Sequence, residues 1–417
     1  MGAWSNRSRK DRGGQLIKFE YDRETSPEPA RQGPKMVWHG GAAVVGGERI
    51  MEDLPVGQFI SMLGFGLGML FGAIAHRTSF CTMGALSDIV FMGNWNRFRA
   101  WMLAIAVAML GSQYLYQSGQ IDLSRAIYLT PNFGWFGAIL GGLMFGFGMT
   151  LGSGCGNKTL VRVGAGNLKS LVVMLFLGIF AYMTLRGLIG LARIEMESLT
   201  MIDLAASGFK TQGIPELLTA VTPMGLETAS LAATLLIGGG LLVFCFKSAD
   251  FRSSPLDISS GFLIGVLVVI AWYVTGVLGA DDFDPVAVES FTFISPVGNG
   301  IQYLMTFTGA TINFGIAAVG GIIFGSFISA RARGEFRIES FTDSPDMIRH
   351  IAGGALMGTG GVLSLGCTIG QGVTGMSTLA FGSLLALVSI IAGALFGFKY
   401  LEEESLGGAL KLMFGRG

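Results

Sequence analysis

The sequence predicts an all-α polytopic membrane protein: about nine transmembrane helices plus short re-entrant helices, arranged as an inverted repeat. Three observations predict it. Only 13% of the 417 residues are charged, against about a quarter in soluble domains, while 51% are hydrophobic and the mean hydropathy is +0.59. Long apolar stretches recur from residue 55 onward. A glycine-rich block ending in Gly-Cys occurs twice. The 65 glycines follow no triplet repeat, which excludes a collagen-like fibre. Net charge is zero, so no global attraction to nucleic acid is expected.

Residues 1–50 carry nine Lys/Arg and three of the eleven prolines without apolar periodicity, and read as a polar, disordered tail. They contain no apolar core of a signal peptide. Residues 51–417 read as the transport domain, its two repeats covering roughly 55–192 and 225–400. A span needs about 20 apolar residues. Nine stretches qualify, near 56–76, 99–117, 133–153, 169–192, 225–246, 258–279, 304–329, 349–366 and 377–398. Gly64, Gly68 and Gly72 repeat at four-residue spacing, as do Gly354 and Gly358, making faces on which helix backbones pack closely. Most Lys and Arg in the loops fall on one side of this topology, including Arg97, Arg162, Lys169, Arg337 and Arg349. Arg125, Arg193 and Lys210 fall on the other. The loop rule puts the first side, with the C-terminus, in the cytoplasm.

Gly141, Gly142, Gly146, Gly148, Leu151, Gly154 and Cys155 match Gly353, Gly354, Gly358, Gly360, Leu363, Gly366 and Cys367 in one register, 212 residues apart. Cys155 follows the third predicted span and Cys367 the eighth, so the two copies cross in opposite directions, a plan common in secondary transporters. Phe71-Gly72 and Phe324-Gly325 read as a second pair of equivalent positions. Each copy ends in a segment too polar to face lipid, Gly152–Lys158 and Leu365–Gly372. Irregular backbone at membrane depth is tolerated only where protein or a water cavity covers it. Both segments are therefore expected to be re-entrant and to open short helices, whose free N–H groups favour an anion. Lys158 reads either as a residue snorkelling to the interface or as a counter-charge for that anion. Asn157, Thr368 and Gln371 add neutral polar groups suited to an oxyanion.

The four cysteines form no CxxC, so neither a disulfide framework nor a metal site is expected, and no cofactor motif is present. Cys245 lies in an apolar run and reads as a packing residue. Cys155 and Cys367 sit at equivalent repeat positions, and Cys81 lies at a polar interruption after the first span. The strings Arg77–Ala85 around Cys81, Gly154–Lys158 followed by Gly166–Leu171, and Gly366–Gly372 resemble the YeeE/YedE family over most of residues 55–400. The resemblance implies an hourglass-shaped inverted repeat in the inner membrane that imports thiosulfate or a related sulfur or selenium compound. It further implies that Cys81, Cys155 and Cys367 line the path.

The residue chemistry agrees with such a path. Thiosulfate is a dianion with a soft terminal sulfur, and thiols are weak donors that hold it gently enough to let it pass. The expected mechanism is a relay between the three thiols without net covalent chemistry, with Asn157, Lys158, Thr368 and Gln371 completing the substrate site. No catalytic residue is expected. The competing reading is a membrane thiol oxidoreductase or sulfurtransferase, which needs a paired or low-pKa cysteine near a base. Only three histidines are present, His39, His76 and His350. Partners expected are the sulfur anion, membrane lipid and a cytosolic sulfur carrier. Asp88 is the one acid near a cysteine motif that could couple protons.

Overall fold

A computed structural model describes residues 55–281 and 285–403; the tail 1–50 lies outside the described residues. The helices are α1 (Val56–Thr78), α2 (Thr82–Met92), α3 (Asn96–Gln117), α4 (Trp135–Leu151), α5 (Gly156–Gly164), α6 (Leu168–Arg186), α7 (Leu188–Thr200), α8 (Ile214–Val221), α9 (Leu226–Phe246), α10 (Ala249–Arg252), α11 (Pro255–Tyr273), α12 (Ile294–Met305), α13 (Phe314–Ala332), α14 (Ser344–Leu363) and α15 (Phe381–Glu403). A short helix with a π-helical turn, Gly370–Gly375, follows Cys367. The only sheet among the described residues is a two-residue antiparallel pair, β1 (Asn132–Phe133) with β2 (Ile202–Asp203).

Eight helical segments are long and apolar enough to cross a bilayer, and they coincide with eight of the nine expected spans. The ninth, α14, opens with Asp346, Arg349 and His350 and misses on composition, yet it packs between α4 and α6 as a full member of the bundle. Two boundaries moved. The 169–192 span ends at Arg186, where extended Gly187 breaks the helix before α7. The 304–329 span starts only at Phe314, because Asn313 caps α13 by accepting the Ile316 N–H.

The packing displays the inverted repeat. α1 lies against α13 as α11 lies against α3, and α4 against α15 as α14 against α6; α4 and α14 meet each other at the centre. Along α1 and α13 the contacts run start with start, Gly64 at Phe314 and Gly72 at Ile322. Between α4 and α14 they run head to tail, Gly137 at Leu363 and Gly148 at Gly353. Two copies of one unit crossing in opposite senses produce this pattern. Matching α1 with α11 also corrects one expectation: Phe71-Gly72 and Phe324-Gly325 are not equivalent positions. α13 is the partner of α1 and the counterpart of α3. Both segments are small-residue faces because they press on each other, which sequence likeness alone does not distinguish from duplication.

These contacts are backbone on backbone. A Cβ on Gly72 would stand 2.2 Å from the Ile322 carbonyl oxygen, one on Gly325 2.0 Å from that of Met69, and one on Gly146 2.0 Å from that of Ile390. Lipid offers no hydrophobic drive between helices, so this close packing carries the association. Large apolar side chains such as Leu236 and Val243 on the membrane-crossing α9, 77% and 67% exposed, form part of the outer, lipid-facing surface. Replacing Gly325 or Gly146 by Ala is expected to lower stability by ~2 kcal/mol or more through overpacking against rigid backbone. Gly240→Ala, with nothing within 4 Å of the new Cβ, is expected to leave it unchanged or slightly raised. Thermal unfolding of the purified variants in one detergent checks both.

Candidate functional site

Four helices begin inside the bundle, and three of them are preceded by a cysteine. Cys81 stands before α2, Cys155 before α5 and Cys367 before the 368–377 helix. Their carbonyls accept the first helical bonds, from Ala85, Thr159 and Gln371. The Cys81 and Cys367 thiols accept from the N–H groups of Gly84 and Gly370, each at 3.4 Å, in the place where Ser or Asp usually caps a helix.

The local route into each of these three helices is the same. Two residues before each cysteine the backbone turns through the left-handed region, at Ser79 (φ 50), Ser153 (φ 56) and Leu365 (φ 59). None is glycine, so each turn is strained and must be held by its surroundings. Arg97 donates to the Ser79 carbonyl at 2.8 Å, and Arg162 to the Ser153 carbonyl at 2.8 Å. In the second copy the Gln371 side-chain amide donates to the Ser364 carbonyl. A further left-handed residue precedes α6 and α15, Gly166 and Leu379. These are 213 residues apart rather than 212; the π-helical turn accommodates the extra residue, as such turns commonly do at functional positions.

The helix starts converge. The Cys81 and Cys155 sulfurs are 3.6 Å apart. A Cβ built on Gly156, the next residue, would lie 3.8 Å from the Cys367 Cβ, so glycine here lets the second copy's cysteine approach the first copy's helix start. Asn157 reaches across to donate to the Phe80 carbonyl at 3.0 Å, binding α5 to the turn before Cys81. All three cysteines are buried free thiols, with exposures of 6%, 1% and 0%.

The neighbourhood holds polar atoms that nothing in the protein satisfies. Thr82 Oγ1, Asn157 Oδ1, Thr368 Oγ1 and Gln371 Oε1 are buried without a hydrogen-bond partner among the described residues. Buried polar atoms are ordinarily paired, so such a cluster marks where water or a ligand sits. Lys158, in the first turn of α5, is half-buried. No acidic side chain pairs with it among the described residues. All seven residues expected at the site therefore lie in or beside these helix starts. Cys245 does not: it packs with Ala100, Leu103 and Phe251, and its thiol donates to the Arg99 carbonyl. Asp88 is tied to Arg97 at 2.9 Å, in a pair that serves the Ser79 turn.

Several neighbours were not legible in the sequence. The position equivalent to Cys81, the residue before α12, is Phe293, which packs with Phe71 at 5.5 Å and Phe291 at 6.3 Å. One quarter of the site is thus an aromatic wall. Thr292 and the Tyr128 hydroxyl crowd Gly370, 2.6 and 3.5 Å from where its Cβ would stand. Only the twofold packing reveals Phe293, and no residue-type signal marks Arg97 as the holder of a turn 18 residues away.

The hairpins before Cys155 and Cys367 open in opposite directions. Ser153 borders a cavity of about 430 Å³ among the basic loops, lined also by Arg162, Lys169 and Arg337. Ser364 and Leu365 border a cavity of about 30 Å³ at the other end, with Tyr128, Gln212 and Gln371. The two recesses thus lie beside the hairpins that lead to Cys155 and Cys367.

The sequence profile for sulphur transport matches residues 77–396. A thiosulfate transporter, TsuA, of Escherichia coli K12 is 28% identical over 349 residues, covering 78% of this chain and 90% of that protein. A TsuA of Spirochaeta thermophila is 26% identical over 334 residues, covering 78% and 94%. A probable transporter, YedE, of Escherichia coli K12 is 31% identical over 100 residues, covering 24% and 22%. The matched region contains all three cysteines that precede these helices and both hairpins. The chain belongs to the sulphur-transport (YeeE/YedE) family and is a multi-pass membrane transporter of a sulfur compound.

Proposed function

We propose that the protein imports thiosulfate across the inner membrane, passing the anion between the thiols of Cys81, Cys155 and Cys367 without forming a covalent bond to it. The observation that carries this reading is the approach of three buried helix starts, each preceded by a cysteine. Each helix start bears roughly half a positive charge, and Lys158 adds a full one. Together they offset a dianion where water is scarce. The thiols contact its soft sulfur, while the unpartnered atoms of Asn157, Thr368, Thr82 and Gln371 serve it directly or through water. Weak, repeated sites suit passage better than one strong site.

The distribution of basic residues supports an orientation of the path in the membrane. The anion enters by the narrow recess beside Tyr128 and Gln371 and leaves by the wide basic one, the cytoplasmic side under the loop-charge rule. A sulfur-carrier protein there would consume the cargo. The names of the TsuA relatives support thiosulfate as that cargo. The 3.6 Å approach of Cys81 to Cys155 favours a second reading, a membrane thiol oxidoreductase. The two differ in outcome: a relay moves radiolabelled thiosulfate intact with both thiols reduced, whereas an oxidoreductase leaves a disulfide or persulfide after turnover.

Uptake of labelled thiosulfate into proteoliposomes is expected to fall at least ~10-fold, the ~1.4 kcal/mol of one lost weak contact, in Cys81→Ala, Cys155→Ala and Cys367→Ala. Cys245→Ala is expected to behave as wild type, since Cys245 lies apart from the path. Equal loss in all four, or in none, contradicts the relay. Mild copper–phenanthroline oxidation is expected to link Cys81 to Cys155, whose sulfurs need close only from 3.6 Å to about 2.05 Å. Peptide mass spectrometry should find that bridge and none to Cys245, with uptake lost on oxidation and restored by dithiothreitol.

A further inference from the structure

The cavity of about 430 Å³ at the basic end is far larger than passage of one small ion requires, and its wall is built from both repeats. The first copy contributes Ser153, the end of α5 and the start of α6; the second contributes the α13–α14 connection and the start of α14. The two are joined by main chain, Leu168 N–H to the Glu339 carbonyl at 2.8 Å and Arg337 N–H to that of Ala165 at 3.2 Å.

The wall is net positive, with Arg162, Lys169, Arg337 and Arg349 against Glu335, Glu339 and Asp346, and two of its arginines lack a carboxylate partner among the described residues. Asp346 is saturated: Lys169 contacts it at 2.8 Å, Arg349 at 2.7 Å and His350 at 3.2 Å. Glu335 pairs with Arg333 at 2.9 Å, and Glu339 accepts from Asn167 at 2.5 Å. Asp346 and Glu335 are thus matched by cations, while the Glu339 carboxylate is held by a neutral amide and keeps its charge. Arg162 and Arg337 have no carboxylate partner among the described residues. The half-buried Arg162 guanidinium spends one N–H on the Ser153 carbonyl, two residues before Cys155, which leaves the rest of its fork for another acceptor. A guanidinium fork matches the paired oxygens of an oxyanion.

We propose that this cavity is a second binding site, one for a doubly charged sulfur oxyanion, held by Arg162 and Arg337 after it leaves the cysteines. This rests on the transport reading above and extends it: the cysteines select the soft sulfur, whereas the cavity recognises charge and oxygen geometry only. Thiosulfate and sulfate are therefore expected to bind there with similar strength. Arg162 belongs to both places, because the same side chain holds the turn that positions Cys155.

The test is equilibrium binding of labelled sulfate and labelled thiosulfate to the purified, full-length protein in detergent. Cys81→Ala/Cys155→Ala/Cys367→Ala is expected to keep one site at which the two anions compete within about threefold. Arg337→Gln and Arg162→Gln are each expected to weaken that site at least ~10-fold, consistent with the loss of a charge-assisted contact, and Arg162→Lys to restore part of it. Arg125→Gln, an exposed residue outside the cavity lining, is expected to bind as wild type, which controls for loss of charge in general. Each variant is first checked for an unchanged elution profile and melting temperature; Arg337, being exposed, supplies a variant that does not disturb folding. Loss of all binding in the triple-cysteine variant, or wild-type affinity in Arg337→Gln and Arg162→Gln, overturns the proposal. Binding of sulfate in the cavity together with no uptake of thiosulfate by wild type would keep the site and remove the proposed cargo.

Discussion

Starting a helix in the middle of a bilayer is the constraint on which the rest of this structure depends. Its first N–H groups have no partner within the helix, and lipid supplies none, at several kcal/mol for each group left bare. The protein starts four helices there, and the three at Thr82, Gly156 and Thr368 follow a cysteine. Two of the three are capped partly by a thiol, a poor acceptor compared with a carboxylate or hydroxyl. The result is a buried, electropositive, incompletely satisfied point, which is what an anion with a soft sulfur requires. The glycine faces follow from the same need. Only helices in backbone contact, as at Gly72, Gly146 and Gly325, exclude lipid from broken segments that could not tolerate it.

The two copies differ where an exact duplication would have made a symmetric pore. Phe293 stands where a fourth cysteine would be, so a thiol pair faces a single thiol beside an aromatic wall. Arg162 holds the first hairpin, whereas neutral Gln371 holds the second. The recess at the arginine end is the larger, about 430 Å³ against about 30 Å³. Charge and volume thus both increase toward the basic loops. An exact inverted repeat would make its two faces alike; these substitutions make them different.

Much of this was readable in the sequence because it rests on residue type at fixed spacing. The spans follow from apolar runs, and the pairing of Cys155 with Cys367 follows from glycines shared in one register. Physical reasons also explain what was not readable. Ser79, Ser153 and Leu365 adopt left-handed backbone without being glycine, so composition gives no sign of the turns. Phe71-Gly72 and Phe324-Gly325 look duplicated because two surfaces in tight contact obey the same size rule. Asp88 reads from the sequence as available for proton coupling, whereas the fold pairs it with Arg97. Each of these depends on what lies across the bundle, which spacing along the chain does not report.

The central claim is that a sulfur dianion rests where the three helix starts preceded by a cysteine approach one another. The most direct measurement is an anomalous-difference map from crystals grown with selenosulfate, in which selenium replaces the terminal sulfur and marks its position. The account predicts a selenium peak in contact with the Cys155 and Cys367 thiols, at the N-termini of α5 and the 368–377 helix. A fully occupied peak found only elsewhere in the bundle, with none among the three cysteines, would contradict it.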